Sequence, residues 1–178
     1  MGSIRSEIKQ ERPFTRLADE GVVTLLRTAD KVRAALSAVV EPRGITLQQY
    51  NVLRILRGAG EDGLPTLEIA ARMIENSPGI TRLLDRLEAK SLVRRRRCPV
   101  DRRQVLCYAS ERAAQLLVAL DQPLADAAAN ALSPLDARRI SELIRLLDAV
   151  RTVEASSGTP DSEDEEKKAR REKKETRR

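Results

Sequence analysis

The chain has 178 residues, 41% of them hydrophobic but only 2% aromatic, with a net charge of +6 and no histidine. That length suits one domain or one and a half; with no run of 18 apolar residues it predicts no membrane span, and MGSIRSEIKQERPF shows no secretory signal. Absent histidine removes the usual general base and most zinc sites, and two cysteines, Cys98 and Cys107, are too few for a disulfide scaffold and suit a reducing, cytoplasmic setting.

The excess charge is localised. Residues 154–178 hold eight acids and eight bases, whereas Leu92 to Arg103 hold six arginines against Asp101. A basic arm on a nearly neutral body points to a polyanion as partner.

In chain order, residues 1–16 form an N-terminal arm. From 17 to 41, Val22, Leu25, Leu26, Ala29, Val32, Leu36, Val39 and Val40 recur in steps of three and four, which predicts a long amphipathic helix stopped by Pro42 and Gly44. In ITLQQYNVLRIL, Thr46 and Gln49 have the spacing of a capping box, and Ile45 with Tyr50 that of a hydrophobic staple. GAGEDGLP makes a loop. TLEIAARMI is a short helix of about nine residues with Thr66 as cap. Ser77 caps the next helix and Pro78 takes its first position. That helix, about 13 residues long, buries Ile80, Leu83, Leu84 and Leu87 and exposes Thr81, Arg82, Asp85 and Arg86, so the pair has helix-turn-helix spacing. Met73 and Tyr50 read as core.

Leu92–Arg97 and Gln104–Ala109 alternate as strands around the turn CPVDRR, which makes a hairpin carrying Arg94 to Arg97, Arg102 and Arg103. Alternation sends Arg94 and Arg96 one way and Arg95 and Arg97 the other, so about half are expected to be ion-paired or solvated. Ser110 caps a helix over roughly 111–130 that Pro123 should kink. Ser133-Pro134 opens a last helix with Ile140, Leu143, Ile144, Leu147 and Val150 in step. Beyond Val153 high charge without apolar periodicity predicts a disordered tail over 154–178.

At SPGITRLLDRLEAKSLVRRRRCPVDRRQVLCYASERA the chain resembles the MarR family of bacterial transcription regulators. The resemblance rests on Thr81-Arg82 early in the recognition helix, Leu84 and Leu87 in its core, the basic strand Arg94 to Arg97, the wing tip Asp101-Arg102-Arg103 and Ser110. It covers about residues 17–152. Ser91, Ala113 and Pro78-Gly79 depart from the family's usual glycines and polar residues; Ser91 can take the left-handed cap conformation at a cost of about 1 kcal/mol.

The resemblance implies a mainly α fold with a small β-hairpin wing. A winged helix-turn-helix over 46–110 is inserted between dimerisation helices at 17–45 and 111–153. It implies that Ser77, Thr81, Arg82, Arg86, Arg95, Arg97, Arg102 and Arg103 contact double-stranded DNA, with Arg103 in the minor groove and Asp101 fixing the wing. It also implies a homodimer on a palindromic operator, and a small phenolic or anionic ligand that relieves repression. The oxidant-sensing branch of that family carries its reactive cysteine in the first long helix, where this chain has none, so Cys98 and Cys107 read as structural. The alternative is a nonspecific or architectural nucleic-acid-binding protein. No cofactor, metal or catalysis is expected, since Asp30, Glu68, Asp126 and Glu142 show no paired spacing.

Overall fold

The structure, a computed structural model, describes residues 3–75, 79–98, 101 and 104–152. Ser77, Pro78, Pro99, Arg102, Arg103 and the tail lie outside it, as do the expectations attached to them. Two compact units divide after Pro134.

The first unit is mostly helical. A short helix α1 (Ile4–Glu7) precedes the long α2 (Leu17–Val40). The latter ends where predicted, in a 3₁₀ turn Glu41–Arg43 that closes on Gly44 at φ +76°. Helix α3 (Leu47–Ala59) starts with the complete capping box: Gln49 N–H donates to Thr46 Oγ1 at 3.2 Å, and Thr46 N–H donates to Gln49 Oε1 at 3.1 Å. Then follow strand β1 (Leu64–Pro65), helix α4 (Thr66–Ala71), helix α5 (Ile80–Ala89), strands β2 (Val93–Arg97) and β3 (Val105–Ala109), and helix α6 (Glu111–Ala131).

Three expectations for this unit need correction. The segment after Gly63 is not all loop. Leu64 and Pro65 pair antiparallel with Cys107 and Leu106, which adds an edge strand to the hairpin and gives the order β1-β3-β2. Thr66 is consequently the first residue of α4 and not its cap, because Pro65 is held extended by that pairing. Both helix-turn-helix helices are shorter than expected, six and ten residues, and Gly79 occupies the capping position of α5.

Helix α5 ends as a Schellman motif built on a non-glycine residue. Leu92 N–H donates to Leu87 O and Ser91 N–H to Glu88 O, with Ser91 at φ +56°. The accompanying apolar contact positions, Leu87 and Leu92, are both buried. Ser110 then joins wing to helix. Its Oγ accepts from Ala113 N–H at 3.1 Å and donates to Ser91 O at 2.8 Å, while its N–H donates to Leu92 O.

The core runs through Val52, Leu53 and Leu56 of α3, Ile69 of α4, Leu84 and Leu87 of α5, Cys107 of β3, and Leu117 and Leu120 of α6. Met73 and Tyr50 pack against it, half-buried. Helix α2 lies along α6 and packs Leu36, Val39 and Val40 on the core. Its N-terminal half leaves Leu17, Val22, Leu25 and Leu26 exposed. Pro123 sits inside α6, where it removes the bond to the Ala119 carbonyl without ending the helix.

The second unit contains α7 (Ala137–Thr152). Its cap is Asp136, whose Oδ1 accepts from Arg139 N–H at 2.8 Å. The expected opening at Ser133-Pro134 is therefore moved downstream; Ser133 N–H still bonds back to Asn130 O in the turn that leaves α6. Ile144, Leu146 and Val150 are exposed on α7.

Candidate nucleic-acid interface

The site is built by α5 and the wing. Leu83, Leu84 and Leu87 bury one side of α5, so the opposite side faces solvent. There Thr81, Arg82, Asp85 and Arg86 are all exposed, as the three-four spacing requires. Neither Arg82 nor Arg86 forms an ion pair with another described residue. This surface is a ten-residue helix with free donors along it, the size and chemistry that a DNA major groove admits.

The wing divides its arginines by strand alternation. Across the ladder Arg95 faces Cys107, Arg94 faces Tyr108, Arg96 faces Leu106 and Arg97 faces Val105. Arg95 turns inward beneath α5. Its Nη1 lies 2.6 Å from Asp85 Oδ1 and 3.5 Å from Glu88 Oε2, and Nη2 donates to Thr81 O at 3.3 Å. The side chain is 22% exposed. Burial works against its charge, but the Asp85 bond and the Glu88 and Asp85 carboxylates outweigh it and hold the guanidinium above its ordinary range. Arg95 thus clamps the wing strand to α5. Arg94, Arg96 and Arg97 are exposed and form no ion pair with a described residue. Strand alternation was expected to divide the run in half; instead Arg95 alone of the four is ion-paired with a described residue, and Arg97, on the same face, is exposed with Arg94 and Arg96. Asp101 starts the return of the wing: Gln104 N–H donates to its carbonyl at 3.0 Å, and Cys98 N–H to Gln104 O at 2.9 Å.

Cys107 is buried, and that burial pushes its thiol up, partly opposed by the Thr66 hydroxyl. Cys98 is half-buried at the wing base. Among the described residues no group of histidine, cysteine or carboxylate side chains is arranged to hold a metal ion. No described helix is long and apolar enough to cross a membrane.

Behind the wing a cavity of about 530 Å³ opens between α3, the base of β2 and the start of α6. Leu56 and Leu117 supply apolar wall, and Arg57, Arg94 and Arg112 line it with Glu111. Arg57 is already committed, in a bidentate pair with Asp121 at 2.9–3.0 Å that holds the Asp121 carboxyl below its usual range.

Sequence reasoning missed the acids that neutralise Arg95. Asp85 and Glu88 are three apart on one face of the helix, but the strand that meets them is ten residues away and reaches them only through the fold. It also missed Lys90, whose Nζ donates to Gly44 O at 2.5 Å and to Gln49 Oε1 at 3.3 Å, tying the end of α5 to the start of α3.

The MarR family model matches residues 45–105, from the start of α3 to the first residue of β3. The solved structure of a MarR transcription factor from Planctomyces limnophilus is 36% identical, with a TM-score of 0.60, over 77% of this chain and 99% of that one. This chain belongs to the MarR family. It is therefore a DNA-binding transcription regulator with the winged-helix fold. The same fold appears at lower identity in AbsC, a MarR family regulator from Streptomyces coelicolor (20% identity, TM-score 0.70, 79% of this chain and 95% of that). It appears also in MepR from S. aureus, solved in complex with DNA (22%, TM-score 0.65, 71% and 93%). A search of curated proteins finds no match.

Proposed function

We propose that this MarR-family regulator is a homodimeric, sequence-specific repressor. In this reading two copies of α5 enter successive major grooves of a palindrome, about one helical turn apart. Thr81, Arg82 and Arg86 meet the groove; Ser77 adds a contact at its edge. Arg97, Arg102 and Arg103 follow the backbone and the minor groove, with Asp101 fixing the wing. Arg95 takes an intramolecular part, since its charge is already matched by Asp85 and Glu88. The observation that carries the proposal is this separation: the inward arginine is neutralised, while Arg82, Arg86 and Arg97 stand exposed and unmatched by any described acid.

The dimer part of the reading draws on α2. Leu17, Val22, Leu25 and Leu26 are exposed along one helix, an apolar surface of the kind that a second copy would cover. Residues 17–45 and 111–153 would supply that interface. The ligand part draws on the cavity behind the wing, whose volume suits a small organic molecule and whose Arg94 and Arg112 favour an anionic or phenolic one. A ligand there would contact the base of β2 and the start of α6 together, and so bias the wing relative to the dimer helices. We assign the chain no catalysis and place it in the cytoplasm, beside its DNA.

The test starts from duplexes selected out of a random pool by the full-length protein. Binding to the selected palindrome should survive excess random DNA. Arg97→Ala and Arg103→Ala should each weaken it by roughly 1–3 kcal/mol without changing the sedimentation of the dimer. Unchanged affinity in both variants removes the wing from the mechanism. Loss of all binding in step with rising salt, with no preference for any sequence, supports an architectural protein instead.

A further inference from the structure

The turn between α4 and α5 decides where the recognition helix starts, and its described part has little apolar anchorage. Ile74 is 82% exposed and Met73 only half-buried. Polar bonds hold it. Asn51 Oδ1 on α3 accepts the Ile74 N–H at 3.0 Å. Glu75 accepts from Gln48 Nε2 of α3 with Oε2 at 3.1 Å, and from Arg33 Nε of α2 with Oε1 at 2.6 Å. Those two donors, Gln48 first and then Arg33, keep the carboxyl below its usual range against the opposing effect of burial.

Arg33 lies 42 residues before Glu75, on the long helix and not on the winged lobe. Its other acid, Asp30, is on its own helix and farther off, at 3.9 Å. Among the described residues the Arg33–Glu75 bond is the one ion pair that joins α2 to the turn before α5. An exposed pair of this kind adds little to folding. Its value is geometric: it is short, doubly anchored, and five residues ahead of Ile80, where α5 begins.

We propose that Glu75 is a positioning residue whose carboxylate carries the placement of α2 to the start of the recognition helix. A shift of the long helix then pulls on the turn through Arg33, and α5 starts from a different place relative to the DNA groove. The proposal rests on the reading of α5 as the helix that faces DNA, and its test includes a measurement that needs no DNA.

The full-length protein is compared with Glu75→Gln, Arg33→Met and the double variant. Gln at 75 keeps the size and an acceptor for Gln48; Met at 33 keeps the stem on a half-exposed helix surface. Both should melt within about 2 °C of the parent. Amide exchange at Leu83 and Leu84, in the first turns of α5, should quicken several-fold in both variants, while the amides of Val52 and Leu53 in α3 stay unchanged. On a duplex selected by the parent protein, each single variant should bind about fivefold more weakly, and the double no more weakly than either. The slope of affinity against salt should stay constant, because no phosphate contact is lost. Exchange equal to the parent in both single variants overturns the latch, whatever DNA does. So does a double variant in which the two losses multiply, or a slope that falls by about one per residue, which would make Arg33 an ordinary phosphate ligand.

Discussion

Replacing Gly63 by alanine tests how the wing is anchored to the body. Gly63 sits at φ +65°, ψ −178°, a region that residues with a side chain hardly enter. A Cβ built there would lie 2.5 Å from Tyr108 Cε1, 2.7 Å from Cζ and 2.8 Å from Cδ1. The backbone alone costs an alanine about 1–3 kcal/mol. Displacing the half-buried Tyr108 ring adds about 1 kcal/mol or more as overpacking. Against that, alanine narrows the unfolded chain and returns about 0.4–1 kcal/mol. The net loss is about 2–3 kcal/mol, or roughly 5–10 °C in Tm for a chain of this size. Because Gly63 leads into β1, and Tyr108 lies on β3 opposite Arg94, the strain falls on the sheet that carries the wing. Urea unfolding at one fixed protein concentration measures it, since the proposed dimer would make stability depend on concentration. Adding Tyr108→Ser should recover part of the loss, as the two residues share one contact. A Gly63→Ala protein within about 0.5 kcal/mol of the parent would refute the argument.

Ser91→Gly should stabilise the protein by about 1 kcal/mol, because a residue at φ +56° is relieved of its Cβ while the Schellman bonds remain; equal urea midpoints would contradict it. Acid sensitivity should be confined to low pH. Glu7, Glu75 and Asp121 all have lowered folded pKa values, held down by Arg27 and Lys31, by Gln48 and Arg33, and by Arg57. Stability from these groups is present above their unfolded values, about 4.5 for Glu and 3.8 for Asp, and is lost as pH falls through the folded ones. With no histidine to titrate in between, urea midpoints at pH 7 and pH 5.5 should agree and the midpoint at pH 3.5 should be lower. A fall already at pH 5.5 would mean another group controls folding. A thiol reagent should modify Cys98 in the folded protein and Cys107 only after unfolding, given its burial and raised pKa; two fast equivalents in the native state would contradict this.

Much of the fold was legible because local chemistry is strong here. Thr46 and Gln49 are three apart and close their own capping box, and Ser110 caps α6 as its position foretold. The 3.6-residue period of α5 separated Leu83, Leu84 and Leu87 from Thr81, Arg82 and Arg86 correctly. What escaped was set by contacts distant in sequence. Leu64 and Pro65 form a strand only because β3 lies beside them, and a dipeptide has no periodicity to betray it. Asp136 outcompeted Ser133 as a cap, a choice between two acceptable residues three apart. Arg95 looked equivalent to Arg97, two places on along the same face of the strand. Only the packing of α5 over β2, which brings Asp85 and Glu88 to one of them, makes them different.

The central claim is that the outward face of α5 reads DNA. The most direct measurement is the affinity of the Arg82→Ala/Arg86→Ala protein for a selected palindrome and for scrambled duplex, by fluorescence anisotropy across a salt series. The account predicts that the parent prefers the palindrome at every salt concentration, and that the variant keeps its fold and its sedimentation but loses most of that preference. A variant that discriminates as well as the parent would contradict it.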